Sequence, residues 1–294
     1  MSETKTTTGP SAEPPAATGF TATPIQMVQK YWDARPCNIR HSPSEIGTRQ
    51  YFDEVEARRY FVEPHIPGFA EFERWRGRKV LEVGCGIGTD TMNFARAGAR
   101  VTAVDLSEKS LEMARRRANV FGLSDRIRFY RANAENLSEV VTPEPYDLVY
   151  SFGVIHHTPC PERAIEQIRR YYVKRGTTLK LMVYHRHSWK VFWILTTYGH
   201  GAFWKLDELI ARHSEAETGC PVTYSYSRRG VRQFVGEGFR IHEVAVRHIF
   251  PYRIPDYREY RYVKAWYFRY LPAPLFRALE RQIGWHLCVT AEAV

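Results

Sequence analysis

The sequence predicts a doubly wound α/β fold on a mostly parallel sheet. Three observations carry this. Short, uniformly apolar strands alternate with helical patterns from Lys79 onward. The first strand runs into glycines at alternate positions, Gly84, Gly86 and Gly88. The second strand ends in a carboxylate, Asp105. Strands that are apolar along their whole length are buried on both faces, as in a parallel sheet covered by helices on each side.

The elements follow in order. Residues 1–24, rich in Thr, Pro and Ala, cannot bury enough apolar surface to offset ordering, and are expected to form a disordered tail. Residues 25–75 read as an N-terminal helical cap: IQMVQKYWDA stops before Pro36, and Tyr51, Phe52, Val55, Tyr60 and Phe61 recur at helical intervals. KVLEVG holds the first strand, and TDTMNFARAG reads as a helix closed by Gly98. RVTAVD is the second strand, followed by a helix that Ser107 caps. IRFYRAN, YDLVYSF and TTLKLMVY are strands three to five, with a helix CPERAIEQIRRYYVK between the last two. An irregular insertion occupies 185–225. A helix–strand pair over 227–246 and a last strand at GWHLCVTAEA complete a seven-stranded sheet in 226–294.

Composition narrows the function classes. The chain has 294 residues, 44% hydrophobic and 25% charged, which excludes a wholly disordered or fibrous protein. No uncharged apolar run reaches the roughly 18 residues of a membrane span, and the first residues lack the apolar centre of a secretion signal. Five cysteines without a C-x-x-C pair argue against a disulfide scaffold and for a reducing, cytoplasmic setting. The net charge of +10 suits an anionic partner, or simply an arginine-rich surface.

The glycine turn carries the chemistry. Glycines let the backbone turn tightly and approach a ligand, and the next helix aims its N-terminus there. A nicotinamide dinucleotide site would need G-x-G-x-x-G, but Thr89 stands where the third glycine belongs. Asp105, 17 residues after Gly88, is placed to accept hydrogen bonds from ribose hydroxyls, or else to favour the helix beginning at Ser107.

Together, E-x-G-x-G-x-G from Glu82, the acid at 105, Asn133-Ala134-Glu135 after strand three and YDLVYSFGVIHH at strand four resemble the class I S-adenosylmethionine-dependent methyltransferase family. The resemblance covers about 76–184 and, more weakly, 226–294. It implies a Rossmann-like domain with S-adenosyl-L-methionine as cofactor. It implies that Glu82, Gly84, Cys85, Gly86 and Gly88 surround the methionine part, that Asp105 holds the ribose, and that Leu106 contacts the adenine. Asn133, Ala134 and Glu135 should lie near the adenine amine, although Asn133 stands where the family usually has Asp. Ser151 and Phe152 should flank the transferable methyl, with strand-end capping the alternative for Asn133 and Ser151.

The acceptor is expected to be a small molecule, methylated on O, N or S and carrying a carboxylate or other anionic group. A base is needed only if the acceptor must lose a proton. Tyr184 and His185 at the tip of strand five, and His156 beside His157 after strand four, are the candidates. Tyr31 and Trp32 of the N-terminal helices and the 185–225 insertion are expected to close over the acceptor. No metal is expected, because His185-Arg186-His187 has no carboxylate or cysteine at ligand spacing. Ser-Phe-Gly-Val after strand four departs from the pattern of base-amine methyltransferases, which argues against nucleic acid. Yet nine of the 21 residues 250–270 are aromatic with interleaved Arg and Lys. That stretch suits a cover over the sheet or a homodimer contact, a peripheral membrane contact, or a stacking surface for RNA. An RNA or protein methyltransferase is therefore the alternative reading.

Overall fold

The structure is a computed structural model that describes residues 20–215 and 219–294. Most of the tail expected over 1–24 lies outside the described residues, as do three positions of the 185–225 insertion.

The strands are β1 (Lys79–Val83), β2 (Arg100–Asp105), β3 (Ile127–Arg131), β4 (Leu148–Phe152), β5 (Thr178–His185), β6 (Ser225–Tyr226), β7 (Phe239–Arg247) and β8 (His286–Ala293). They form one sheet in the order β3-β2-β1-β4-β5-β8-β7. Strands β1 to β5 are mutually parallel, and β8 lies antiparallel between β5 and β7. All seven expected strands are present. The short β6, which pairs with Tyr184 and His185 beyond the end of β4, was not anticipated, because two residues carry no periodicity.

Helices α1 (Ile25–Ala34), α2 (Arg49–Val62) and α3 (Ile66–Ala70) precede the sheet. Helices α4 (Thr89–Arg96), α5 (Glu108–Phe121) and α6 (Pro161–Tyr171) connect its parallel strands. The insertion holds α7 (Trp189–Thr197) and α8 (Leu206–His213), and α9 (Arg228–Val235) leads into β7. The aromatic stretch folds as α10 (Ile254–Arg258) and α11 (Trp266–Arg269), and α12 (Ala273–Ile283) returns the chain to β8. Among the described residues, no helix is long and apolar enough to cross a membrane.

Both faces of the sheet are buried, as the uniformly apolar strands require. Leu81 and Val83 belong to one core layer with Val149, Leu181 and Val289. Val80, one residue away, belongs to the opposite layer with Val101, Leu148, Met92 and Phe94. Ser107 caps α5 by accepting from the Ser110 N–H at 3.1 Å, and α5 ends at Gly122 in the left-handed region.

A fully buried cation fastens the N-terminal helices to the sheet. Arg117 of α5 donates to Thr89 Oγ1 (2.7 Å), Glu56 Oε2 (2.8 Å) and the Phe52 carbonyl (3.2 Å). It thereby joins α2, α4 and α5. Removing one member of a buried pair strands the rest, so Arg117→Ala should destabilise the protein by about 3 kcal/mol. Arg117→Met, which fills the space without a charge, should cost clearly less. Denaturant midpoints of the two variants check this ordering.

Candidate functional site

At the carboxyl ends of β1, β2 and β4 the chain encloses a cavity of about 1220 Å³. The glycine turn forms one end. Gly84 has φ +85°, and a Cβ there would stand 2.2 Å from Val154 Cγ2. Only glycine fits. Gly86 has φ +53°, and the place its Cβ would take meets no atom within 4 Å, because it opens onto the cavity. The Gly84 and Cys85 amides both donate to the Val104 carbonyl, which fixes the turn against β2.

Asp105 is positioned by the same turn. Its Oδ2 accepts from the Gly86 N–H at 2.8 Å and its Oδ1 from the Ser107 N–H at 2.8 Å. Burial pushes the Asp105 carboxyl up to about 6, and these two amides pull the other way. Glu82 accepts from Thr91 Oγ1 at 2.5 Å. Burial, reinforced by the nearby Asp90 charge, holds Glu82 well above the usual carboxylate range. Leu106, Asn133, Ala134 and Phe152 line the same cavity, as do Cys85 and Trp32.

Several expected residues lie elsewhere. Gly88 starts α4 and packs on α5, its absent Cβ 3.1 Å from that of Ala114. Glu135 turns away from the cavity to accept from the Cys160 N–H at 2.8 Å, at the start of α6. Ser151 is fully buried and donates to the Val83 carbonyl at 2.9 Å, so it ties β4 to β1 rather than flanking a ligand. Asn133 does cap the following turn through Glu135 N–H (3.1 Å), yet it still lines the cavity. Tyr31 stands edge-on behind Trp32, which alone of the pair reaches the lining.

The candidate bases separate in the same way. Tyr184 lines the cavity and donates to Glu215 Oε1 at 2.5 Å. Burial holds its phenol well above the usual range, which keeps it a donor rather than a base. His185, the next residue, points to the other face. It contacts the Gly284 carbonyl at 3.0 Å and lines a separate small pocket with His187 and Arg228. His156 packs on the Tyr184 ring at 4.0 Å behind the cavity wall, with neither ring nitrogen hydrogen-bonded among the described residues. His157 takes the lining position, beside the Trp32 ring at 5.3 Å.

The sequence reading missed two groups. Asp90, buried in the first turn of α4, accepts from Arg59 (2.9 Å), Tyr60 (2.9 Å) and Tyr150 (2.9 Å). Its only sequence signal is an acid at a helix start. At the far end of the cavity Glu63, His248 and His286 each offer a ligand atom, all within 4.8 Å of one another. His65 Nε2 lies 3.1 Å from His286 Nδ1. Burial lowers His65 to about 4 and His248 to about 3, and raises Glu63 to about 7. No motif marks this cluster, because β8 and the ends of α2 and β7 bring it together. The aromatic stretch covers this end: Phe250, Tyr252, Tyr257 and Trp266 line the cavity, and Arg58 of α2 lies over the Tyr257 ring at 4.1 Å.

Residues 80–176 match the methyltransferase domain family. A ubiquinone biosynthesis O-methyltransferase of Paracidovorax citrulli is 37% identical over 38% of this chain and 44% of its own length. Its counterpart in Aromatoleum aromaticum is 35% identical over 30% of this chain and 37% of its own. The chain thus spans less than half the length of these curated relatives. Magnesium protoporphyrin IX methyltransferase from Synechocystis PCC 6803, solved with bound SAH, shares the fold at TM-score 0.55 and 16% identity. That likeness covers 92% of this chain and 100% of the other. The cyclase SpnF shares it at TM-score 0.54 and 17% identity, over 90% and 94%.

The fit at Gly84 is directly testable. Gly84→Ala brings in both the contact with Val154 and a left-handed backbone that costs about 1–2 kcal/mol. Gly84→Ala should lower the melting temperature, and adding Val154→Gly, which removes the Val154 Cβ at 2.6 Å together with both methyls, should restore part but not all of the loss. Additive losses in this double-mutant cycle would remove the assigned contact.

Proposed function

We propose that this chain, a member of the class I S-adenosylmethionine-dependent methyltransferase family, transfers a methyl group from S-adenosyl-L-methionine to a small-molecule acceptor held in the same cavity. One observation carries the reading: a single cavity, partly open to solvent, joins the Gly86 turn and Asp105 to a far end lined by Tyr184, Trp285 and the aromatic stretch. Its 1220 Å³ exceeds the roughly 300–1,000 Å³ of an ordinary one-ligand pocket, which is room for cofactor and acceptor together.

The residues present fit the cofactor. Gly86 leaves open the space a side chain would fill, and the Asp105 oxygens, already held by two amides, keep lone pairs for the two ribose hydroxyls. Leu106 and Ala134 offer apolar surface to a flat base. When bound, the cofactor supplies a methyl carbon already activated by its sulfonium. The chain's contribution is then orientation and exclusion of water. Trp32 from α1 and Trp189 and Trp193 from α7 line the cavity, where a cap over a small acceptor would stand.

Arg253, Arg258, Lys264 and Arg269 on the covering wall support an acceptor with a carboxylate or other anionic group. The names of the matched relatives favour oxygen as the accepting atom. The names of the matched relatives also favour a small molecule over RNA or protein as acceptor. The free state of all five cysteines is compatible with work in the cytoplasm.

Calorimetry with S-adenosylhomocysteine tests the cofactor half. Asp105→Ala should weaken binding at least about tenfold, or 1.4 kcal/mol. For the native protein, affinity should fall as pH drops through about 6, because protonation of Asp105 removes its charge-assisted acceptors. Asp105→Asn should bind weakly with no such step. Incubation with methyl-labelled cofactor and a fractionated cell extract tests the acceptor half. Label is expected in the small-molecule fraction, and label in RNA or protein would overturn that assignment.

A further inference from the structure

We propose that Glu63, His248 and His286 form a binding site for one divalent transition-metal ion, with open positions facing the acceptor end of the cavity. All three residues line that cavity, and one ligand atom from each lies within 4.8 Å of the others. His286 Nε2 and Glu63 Oε1 are 3.7 Å apart. Ligands at about 2.0–2.1 Å from a tetrahedral ion stand roughly 3.4 Å from one another, so small side-chain rotations close the set. Two imidazoles and one carboxylate suit zinc, iron, cobalt or manganese, and three protein ligands leave room for a fourth donor.

The surroundings hold the ligands in place. His65 Nε2 lies 3.1 Å from His286 Nδ1, which fixes that ring and turns its Nε2 toward Glu63. Metal-binding histidines ordinarily have such an outer partner. His248 and His286 stand at adjoining ends of the paired strands β7 and β8, and the Trp285 N–H donates to the His248 carbonyl at 2.7 Å. His248 has φ +68°, a left-handed backbone that a β-carbon disfavours. This conformation brings its ring within 4.6 Å of that of His286.

The site also has a place in the reaction, and this part rests on the methyl-transfer reading. The His286 ring lies 5.6 Å from that of Phe152, which lines the cavity at the tip of β4. An ion there would hold the accepting oxygen, nitrogen or sulfur at the junction of the two halves. It would also lower the pKa of a hydroxyl or thiol acceptor, where Tyr184 is held as a phenol and His156 lies behind the wall.

The test uses the full chain, stripped with chelator and titrated with Co(II). Visible absorption should report one ion per chain, and zinc should displace it. Glu63→Gln, which keeps shape and removes charge, and His248→Ala should each weaken Co(II) binding at least about a hundredfold. His65→Ala should weaken it about tenfold. His242→Ala, on the exposed face of β7, should change nothing. Binding of S-adenosylhomocysteine, measured on the same samples, confirms folding and separates the two readings. Cofactor binding without Co(II) binding, or Co(II) binding unchanged in Glu63→Gln and His248→Ala together, overturns the metal site and leaves methyl transfer standing. Co(II) binding without cofactor binding does the reverse.

Discussion

The arrangement depends on the buried carboxylate of Asp90. A charge withdrawn from water is tolerable only if it is fully hydrogen-bonded, and Asp90 takes one bond each from Arg59, Tyr60 and Tyr150. Arg59 and Tyr60 belong to α2, Tyr150 to β4, and Asp90 itself to the helix that follows the glycine turn. The N-terminal helices are therefore fixed relative to the turn by a bond network whose loss would leave a bare buried charge. Arg117 does the same from below, through Glu56 and Thr89. A cap held at two charged points places Glu63, at the end of α2, against β8.

This explains what was legible in the sequence. The parallel core is specified locally: each strand is a short apolar run, and the turn at Gly84 is written in three glycines. The cavity's near end follows, since Gly86, Asp105, Leu106 and Phe152 lie within those segments. What failed was orientation. Tyr184 and His185 are neighbours, and a strand sends neighbours to opposite faces. One lines the cavity and the other contacts Gly284. Ser151 and Phe152 divide in the same way, as do His156 and His157 on their short turn. Position at a strand tip tells which edge a residue occupies, and only the parity of the strand tells which face.

The far end was not legible, because it is assembled from residues remote in the chain. Strand β8 enters between β5 and β7, antiparallel to both. That insertion sets His286 opposite Tyr184 in the ladder and beside His248 in space. Glu63 and His65 arrive from the other side of the sequence, more than 180 residues earlier. No spacing rule relates such positions, since their proximity is a property of topology.

The division of the cavity follows the division of the chain. The matched segment, 80–176, supplies the glycine turn, Asp105, Asn133 and Phe152. The acceptor end is built almost wholly from outside it: α1 and α2, the 185–225 insertion, and the segment from β7 through the aromatic stretch to β8. The matched part is held by backbone geometry at the Gly84 turn, whose amides bond to Val104 and Asp105. The outer part carries the arginines, tryptophans and histidines that a particular acceptor would meet. The +10 charge is then not a diffuse surface property alone, for six of its cations line the cavity. On the methyl-transfer proposal, selectivity for the acceptor would reside in the segments outside 80–176.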